Sequence, residues 1–394
     1  MVPSYYEYYN PVKIISGNKA LENLASELEF FGVGRPLVIT DKGVAKAGLV
    51  KLVKKGVAGS GMTIGAVFDD VPQDSSIRVV SRLAGIFRKN RCDCIVAVGG
   101  GSVIDTAKGV NILVTEGADD LLPFAGADML KTPMKPLVVV PTTAGTGSEV
   151  TGVAVISDLE RNVKMVFTSS YLLPKIALLD PRMTVSLPPG MTAATGMDAM
   201  AHAVEGFLSL QKNPMSDACS FASLELIREN LLEAVKNGEN PDTRFAMANA
   251  AVLAGASFSN AMVGMVHALG HAAGGICHLS HGVAMNIFLP FGLEYNLPER
   301  EMETARLLLA VAGPDIYART PESRRAKKTI EHIKALQQTL HDLCALPMTL
   351  DQAGVPRHKL PLIADLAIND PALMMNPREM NREDALEILY QAFE

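Results

Sequence analysis

An α/β first half followed by an all-helical second half is the fold class that this 394-residue sequence predicts. Up to about residue 185, short β-branched apolar runs alternate with amphipathic helical stretches, the pattern of a mainly parallel sheet covered on both faces. At Asp180-Pro181 and Pro188-Pro189-Gly190 the character changes, and beyond it helical spacing is almost all that remains. A third observation concerns chemistry. Phe245 to Leu293 contain no Asp, Glu, Lys or Arg, yet they hold four of the eight histidines, at 267, 271, 278 and 281.

In chain order, strands are predicted at Val12 to Ser16, Leu37 to Thr40, Thr63 to Phe68, Ile95 to Val98 and Leu137 to Val140. Helices are predicted between them at Lys19 to Phe30, Ala45 to Lys54, Ser75 to Lys89 and Val103 to Val114. Extended segments follow at Val153 to Ser157, Lys164 to Thr168 and Ile176 to Leu179. Helices then cover Met191 to Leu210, Cys219 to Val235, Thr243 to Ser259, Val263 to Ala273, Glu299 to Ala312, Lys327 to Cys344 and Glu383 to Phe393. The expected domains are 1–185 and 186–394, a length that suits more than one core.

Composition narrows the function classes. A net charge of -6, with no polybasic run, gives no footprint for nucleic acid or an anionic membrane. Five irregularly spaced cysteines suit reduced thiols in a cytoplasm rather than a disulfide framework. The start MVPSYYEYYNP has no basic region followed by an apolar one, so no signal peptide is expected. The charge-free stretch is interrupted by Asn249, Asn260 and Asn286, which points to buried helices of a globular domain rather than a membrane span.

Two loops follow strands of the first half. Cys94 to Val98 run into Gly99-Gly100-Gly101-Ser102 and a helix start, where backbone N–H groups and the positive helix end suit a phosphate. A tight turn would use the same glycines. Pro141 to Glu149 offer hydroxyls from Thr142, Thr143, Thr146 and Ser148 between small residues, which suit phosphate or ribose oxygens or simply cap the next element. Both loops would open on the carboxyl edge of one sheet, where open α/β sheets bind ligands. Asp41 ends another strand; a carboxylate there would accept hydrogen bonds from an adenosine ribose and repel a 2′-phosphate, or would cap a helix.

The second half offers a metal set. Asp198 and His202 are four apart, hence on one helical face, as are His267 and His271. His281 follows Gly274-Gly275 and has room to turn back toward them. One Asp and three His around a divalent ion leave coordination room for a substrate oxygen. Cys277, His278, Cys92 and Cys94 read as packing groups.

These motifs together resemble the iron-dependent, or group III, alcohol dehydrogenases. The resemblance runs from Asn10-Pro11 through the two loops, Asp180-Pro181, Thr192 to Ala199, Phe258 to Ala261 and Gly264 to Gly282, and on to the last helix. It implies an N-terminal dinucleotide-binding domain, a helical metal domain and an active site between them. It implies Asp198, His202, His267 and His281 as ligands to Fe²⁺, with Zn²⁺ accepted by the same set, and His271 beside the site as a proton-relay group. Asp41, Gly99, Gly100, Gly101, Ser102, Asp105, Thr142, Thr143, Thr146 and Lys164 would contact NAD, with Phe258 near the substrate. One departure is Ser280, where the family usually has proline before the His-Gly pair. The implied activity is reversible hydride transfer between a short primary alcohol and NAD in a cytoplasmic homodimer or higher homo-oligomer. Dehydroquinate-synthase-like and glycerol-dehydrogenase-like enzymes share the architecture. The former need a basic pocket, and the ligand-rich stretch here has no Lys or Arg.

Overall fold

The computed structural model describes residues 2–158, 161 and 163–394. They divide into two compact units. One comprises Asn10–Thr143 with Gly147–Leu187. The other comprises Pro188–Glu394 together with the N-terminal residues up to Tyr9 and the short piece Ala144–Thr146, both within the expected first domain 1–185.

In the first unit the strands are β1 (Lys13–Ser16), β2 (Pro36–Ile39), β3 (Ala66–Phe68), β4 (Cys94–Gly99), β5 (Gly126–Ala127), β6 (Leu137–Pro141), β7 (Val153–Asp158), β8 (Val163–Thr168) and β9 (Ile176–Leu179). Six of them form one parallel sheet in the order β1-β9-β6-β4-β2-β3. Every residue of β2, β4, β6 and β9 is buried, as both faces of a parallel sheet are covered. The helices α1 (Leu24–Phe30) and α3 (Leu49–Val57) cover one face, and α4 (Ile77–Lys89) and α5 (Gly101–Glu116) the other. The helix expected over Ala45 to Lys54 is broken at Gly48, whose φ of 79° separates α2 (Lys42–Lys46) from α3. The extended segments β7 and β8 leave the main sheet and pair antiparallel, with the two-residue β5 completing a separate three-stranded sheet.

The second unit is helical: α6 (Pro189–Leu208), α7 (Pro214–Lys236), α8 (Pro241–Ala261), α9 (Met265–Cys277), α10 (His281–Ala312), α11 (Pro314–Arg319), α12 (Glu322–Cys344), α13 (Leu360–Ala367) and α14 (Arg382–Phe393). Asn213 starts α7 five residues before the expected position, because its side chain accepts hydrogen bonds from the N–H groups of Met215 and Ser216. The larger departure is α10, expected only from Glu299 yet helical from His281, with Pro290 and Pro298 inside and a kink at Arg300. Its first part is buried almost all round, so no polar face marks its period in the sequence. No single helix among the described residues is long and apolar enough to cross a membrane; α8 and α9 together would be, but a 103° bend separates them.

Candidate metal centre and cofactor loops

Helix α6 supplies Asp198 and His202 from one face. Leu231 and Ala194 explain two glycines that shape the surroundings. A Cβ at Gly196 would lie 2.3 Å from Leu231 Cδ1, and one at Gly282 would lie 2.4 Å from the carbonyl oxygen of Ala194. Without a side chain at 282, the first turn of α10 rests directly on the α6 backbone, which brings His281 to the Asp198 carboxylate: Nε2 lies 3.3 Å from Oδ1. Ser280, just before, holds φ at -58°, the angle a proline would fix, so the sequence departure leaves the backbone unchanged.

Helix α9 places His267 in its first turn. One donor atom each from Asp198, His202, His267 and His281 lie within 4.8 Å of one another. Three polar atoms there, Asp198 Oδ1, His202 Nδ1 and His267 Nε2, are buried and make no well-directed hydrogen bond among the described residues, although His202 Nδ1 and His281 Nε2 lie 3.5 and 3.3 Å from Asp198 Oδ1. Buried polar atoms are nearly always satisfied, so such a cluster fits a cation that takes their lone pairs. Protonation agrees. Burial pushes His202 down to about 3 and His267 well below its ordinary value, so both imidazoles keep their lone pairs. Burial raises the Asp198 carboxyl, but His202, His281 and His267 outweigh it and hold the group ionised.

Around the cluster, Phe258 stacks on His202 with ring centroids 4.2 Å apart. His271 lies beside the cluster rather than in it, stacked on His281 at 5.6 Å, and its Nδ1 is 2.9 Å from Asp370 Oδ2. His278 ends α9 in the left-handed conformation and is exposed. Two further acidic groups, not expected from the sequence, stand beside the cluster, Glu205 against His267 and Asp370 against His271. Glu205 had a signal, lying three residues after His202 on the same face of α6. Asp370 had none, being 99 residues from His271.

In the first unit, the chain leaves β2 toward β3 on one side and β4 toward β6 on the other, so the switch point of the sheet lies between the carboxyl ends of β2 and β4. Asp41 stands at the first end, where its Oδ1 accepts from Val44 N at 2.9 Å and caps α2. Gly99 to Ser102 stand at the second. A Cβ at Gly99 would meet Val103 at 2.5 Å, one at Gly100 would meet Thr143 Oγ1 at 3.1 Å, and no side chain caps α5. A bare helix start behind a side-chain-free turn fits a pyrophosphate. The Ser102 hydroxyl donates to the Gln73 carbonyl. Thr142 is buried and continues the β4–β6 ladder by donating from its N–H to Gly99 O at 3.1 Å, while Thr146 falls in the helical unit. Lys164, on β8, pairs with Asp74 at 3.4 Å.

Asp105 accepts from Ser148 Oγ at 3.0 Å and from Val155 N at 3.1 Å. It belongs to a buried network centred on Lys108. The Lys108 ammonium donates at 2.7–3.2 Å toward the carbonyls of Ser148, Thr151 and Val153 and the hydroxyls of Ser148 and Thr151. Burial pushes Lys108 down to about 8 and the neighbouring Glu149 carboxyl up to about 7.

Residues 11–181 match the family model of the iron-containing alcohol dehydrogenases, and residues 192–393 match that of the C-terminal part of the Fe-containing alcohol dehydrogenase family. The chain is 37% identical over 396 residues to the 1,3-propanediol dehydrogenase of Klebsiella pneumoniae, covering 98% of this chain and 99% of that protein. It is 31% identical over 388 residues to the NAD-dependent methanol dehydrogenase of Bacillus methanolicus, with the same two coverages. The crystal structure of a 1,3-propanediol oxidoreductase matches with a TM-score of 0.94 at 36% identity, over 99% of this chain and 100% of that one.

Proposed function

The chain belongs to the iron-containing alcohol dehydrogenase family, and on that premise we propose that it oxidises short primary alcohols, and reduces the aldehydes, with NAD. The observation that carries the reading is the set of four donors within 4.8 Å, three of whose polar atoms are buried without a well-directed hydrogen bond. Asp198, His202, His267 and His281 would hold iron or zinc, which supplies Lewis acidity toward an alcohol oxygen, while bound NAD supplies the hydride acceptor. The chain's own groups do the rest. With His202 and His267 neutral, Asp198 would be the anionic member of the donor set, which offsets part of the charge of a divalent ion it would hold. His271, held by Asp370, stands beside the cluster to carry the alcohol proton away. The Phe258 ring, stacked on His202, sets an apolar boundary that favours short aliphatic chains. Asp41, Gly99 to Ser102, Asp105, Thr142, Thr143, Thr146 and Lys164 would bind NAD, the Asp41 carboxylate favouring it over its 2′-phosphorylated form.

The division 1–185 for the cofactor and 186–394 for the metal follows the same reading. The protein would act as a homodimer or larger homo-oligomer, since β1 is an edge strand with Ile14 exposed. Five unpaired cysteines support a cytoplasmic setting. The test is a panel of alcohols, with 1,3-propanediol and methanol among them, offered to metal-analysed protein with NAD or NADP. NADH formation that a chelator abolishes is expected. Metal-loaded protein that makes no NADH from any alcohol would defeat the reading.

A further inference from the structure

We propose that Glu205 is a positioning residue that fixes the tautomer and orientation of His267 and so sets the affinity of the four-residue cluster for its cation. The inference rests on reading that cluster as a metal site. Glu205 sits on α6, one turn beyond His202 and two beyond Asp198, and is only 6% exposed. Its two oxygens have different partners, both on the first turn of α9. Oε2 meets His267 Nδ1, and Oε1 accepts from Val266 N at 2.8 Å. In its ionised form this carboxylate only accepts, so its contact with Nδ1 selects the imidazole tautomer that donates from Nδ1 and keeps the lone pair on Nε2. That Nε2 is the atom left buried and unpartnered beside Asp198.

The place of Glu205 is built from sequence. Gly264 precedes α9 and has no side chain to cap it, so the first N–H groups of the helix look elsewhere. Val266 finds Glu205, and Met265 finds Asn376 Oδ1 at 3.1 Å, itself locked by reciprocal amide bonds with Asn296. A Cβ at 264 would come within 2.6 Å of Asn376 Oδ1 and 3.1 Å of Glu205 Oε1. One carboxylate therefore ties the helix that holds Asp198 and His202 to the helix that holds His267. An outer carboxylate of this kind raises ligand basicity and restricts the ring, and losing one weakens metal binding by roughly 10- to 100-fold.

Two roles are separable, because Asn376 supports the same helix start without touching His267. Metal-stripped wild type, Glu205→Gln and Asn376→Ala are titrated with zinc against a competing chelator, and each is melted before zinc is added. Glu205→Gln is expected to bind zinc about 10- to 100-fold more weakly, while Asn376→Ala melts earlier yet keeps its zinc affinity. Unchanged zinc affinity in Glu205→Gln overturns the proposal, as does a loss in both variants that follows their melting temperatures. Should Glu205→Gln not fold, nitrogen-15 NMR of histidine-labelled wild type, metal-stripped and zinc-loaded, decides. A proton on His267 Nδ1 supports the proposal and one on Nε2 in the stripped protein overturns it. Wild type that binds no zinc or iron would instead overturn the reading of the cluster as a metal site.

Discussion

Gly282→Ala tests whether close backbone contact between α10 and α6 sets the geometry of the cluster. The added methyl would lie 2.4 Å from Ala194 O and 2.7 Å from Ala194 C, and both are backbone atoms of a buried helix that cannot swing aside. Reaching an ordinary van der Waals separation requires the first turn of α10 to retreat by about 1 Å, against a tolerance near 0.5 Å for a functional constellation. His281 is the adjacent residue and moves with it. Replacing a helical glycine by alanine gains about 0.5–1 kcal/mol, but overpacking of this kind loses about 1–3 kcal/mol, so the clash decides the sign. Zinc affinity should fall by at least about tenfold, or about 1.4 kcal/mol, and turnover with 1,3-propanediol by up to about 100-fold. Competitive zinc titration, steady-state NADH formation and urea unfolding read these three effects. Gly275→Ala, whose Cβ would meet nothing closer than 3.7 Å, is the matched control and should be neutral or slightly stabilising. If Gly282→Ala binds zinc and turns over like wild type, the argument from backbone contact is wrong.

Other substitutions reach other parts of the molecule. His267→Ala removes a donor from the cluster, so metal content after dialysis and NADH formation should both vanish; full metal content at the wild-type rate would refute its place there. Lys108→Met leaves three backbone carbonyls and the Asp105 and Glu149 carboxyls without their buried cation, and should lower stability by about 3–5 kcal/mol in urea melts. A loss below about 1 kcal/mol would mean that water replaces the ammonium readily. Glu149 binds its proton more tightly folded than unfolded, so its neutral form supports the fold in acid and that support is lost as pH rises toward about 7. Glu149→Gln should therefore flatten the decline in stability between pH 5 and pH 7, by on the order of 2 kcal/mol; parallel curves for the two proteins would exclude the group as the cause. Phe258→Ala opens the boundary over His202 and should shift preference toward longer alcohols in a KM series, and an unchanged order of KM values would remove Phe258 from the pocket.

Local spacing makes much of this legible in the sequence. Strand and helix alternation, the two loops at the ends of β4 and β6, and the i, i+4 pair Asp198 and His202 all depend on neighbours in sequence. Which three histidines gather with Asp198 does not, because α6, α9 and α10 meet through packing, and the residue pattern alone left His271 and His281 equivalent. The start of α10 stayed hidden for a different reason. Burial on every side erases amphipathic period, and Pro290 and Pro298 read as breakers although the helix runs through both. The short sheet of β5, β7 and β8 was missed because two residues, Gly126 and Ala127, are too few to show a pattern. Asp370 reaches His271 from a turn whose sequence carries only a capping signal.

The four side chains of the cluster are unequally covered. Asp198, His202 and His267 expose 2–5% of their surface, and His281 exposes 38%. An ion held there would be walled in by three buried donors and open to solvent on the His281 side, at the first turn of α10. Exchange of one metal for another would then start at that side, where the His281 imidazole can turn out to solvent while Asp198, His202 and His267 stay packed.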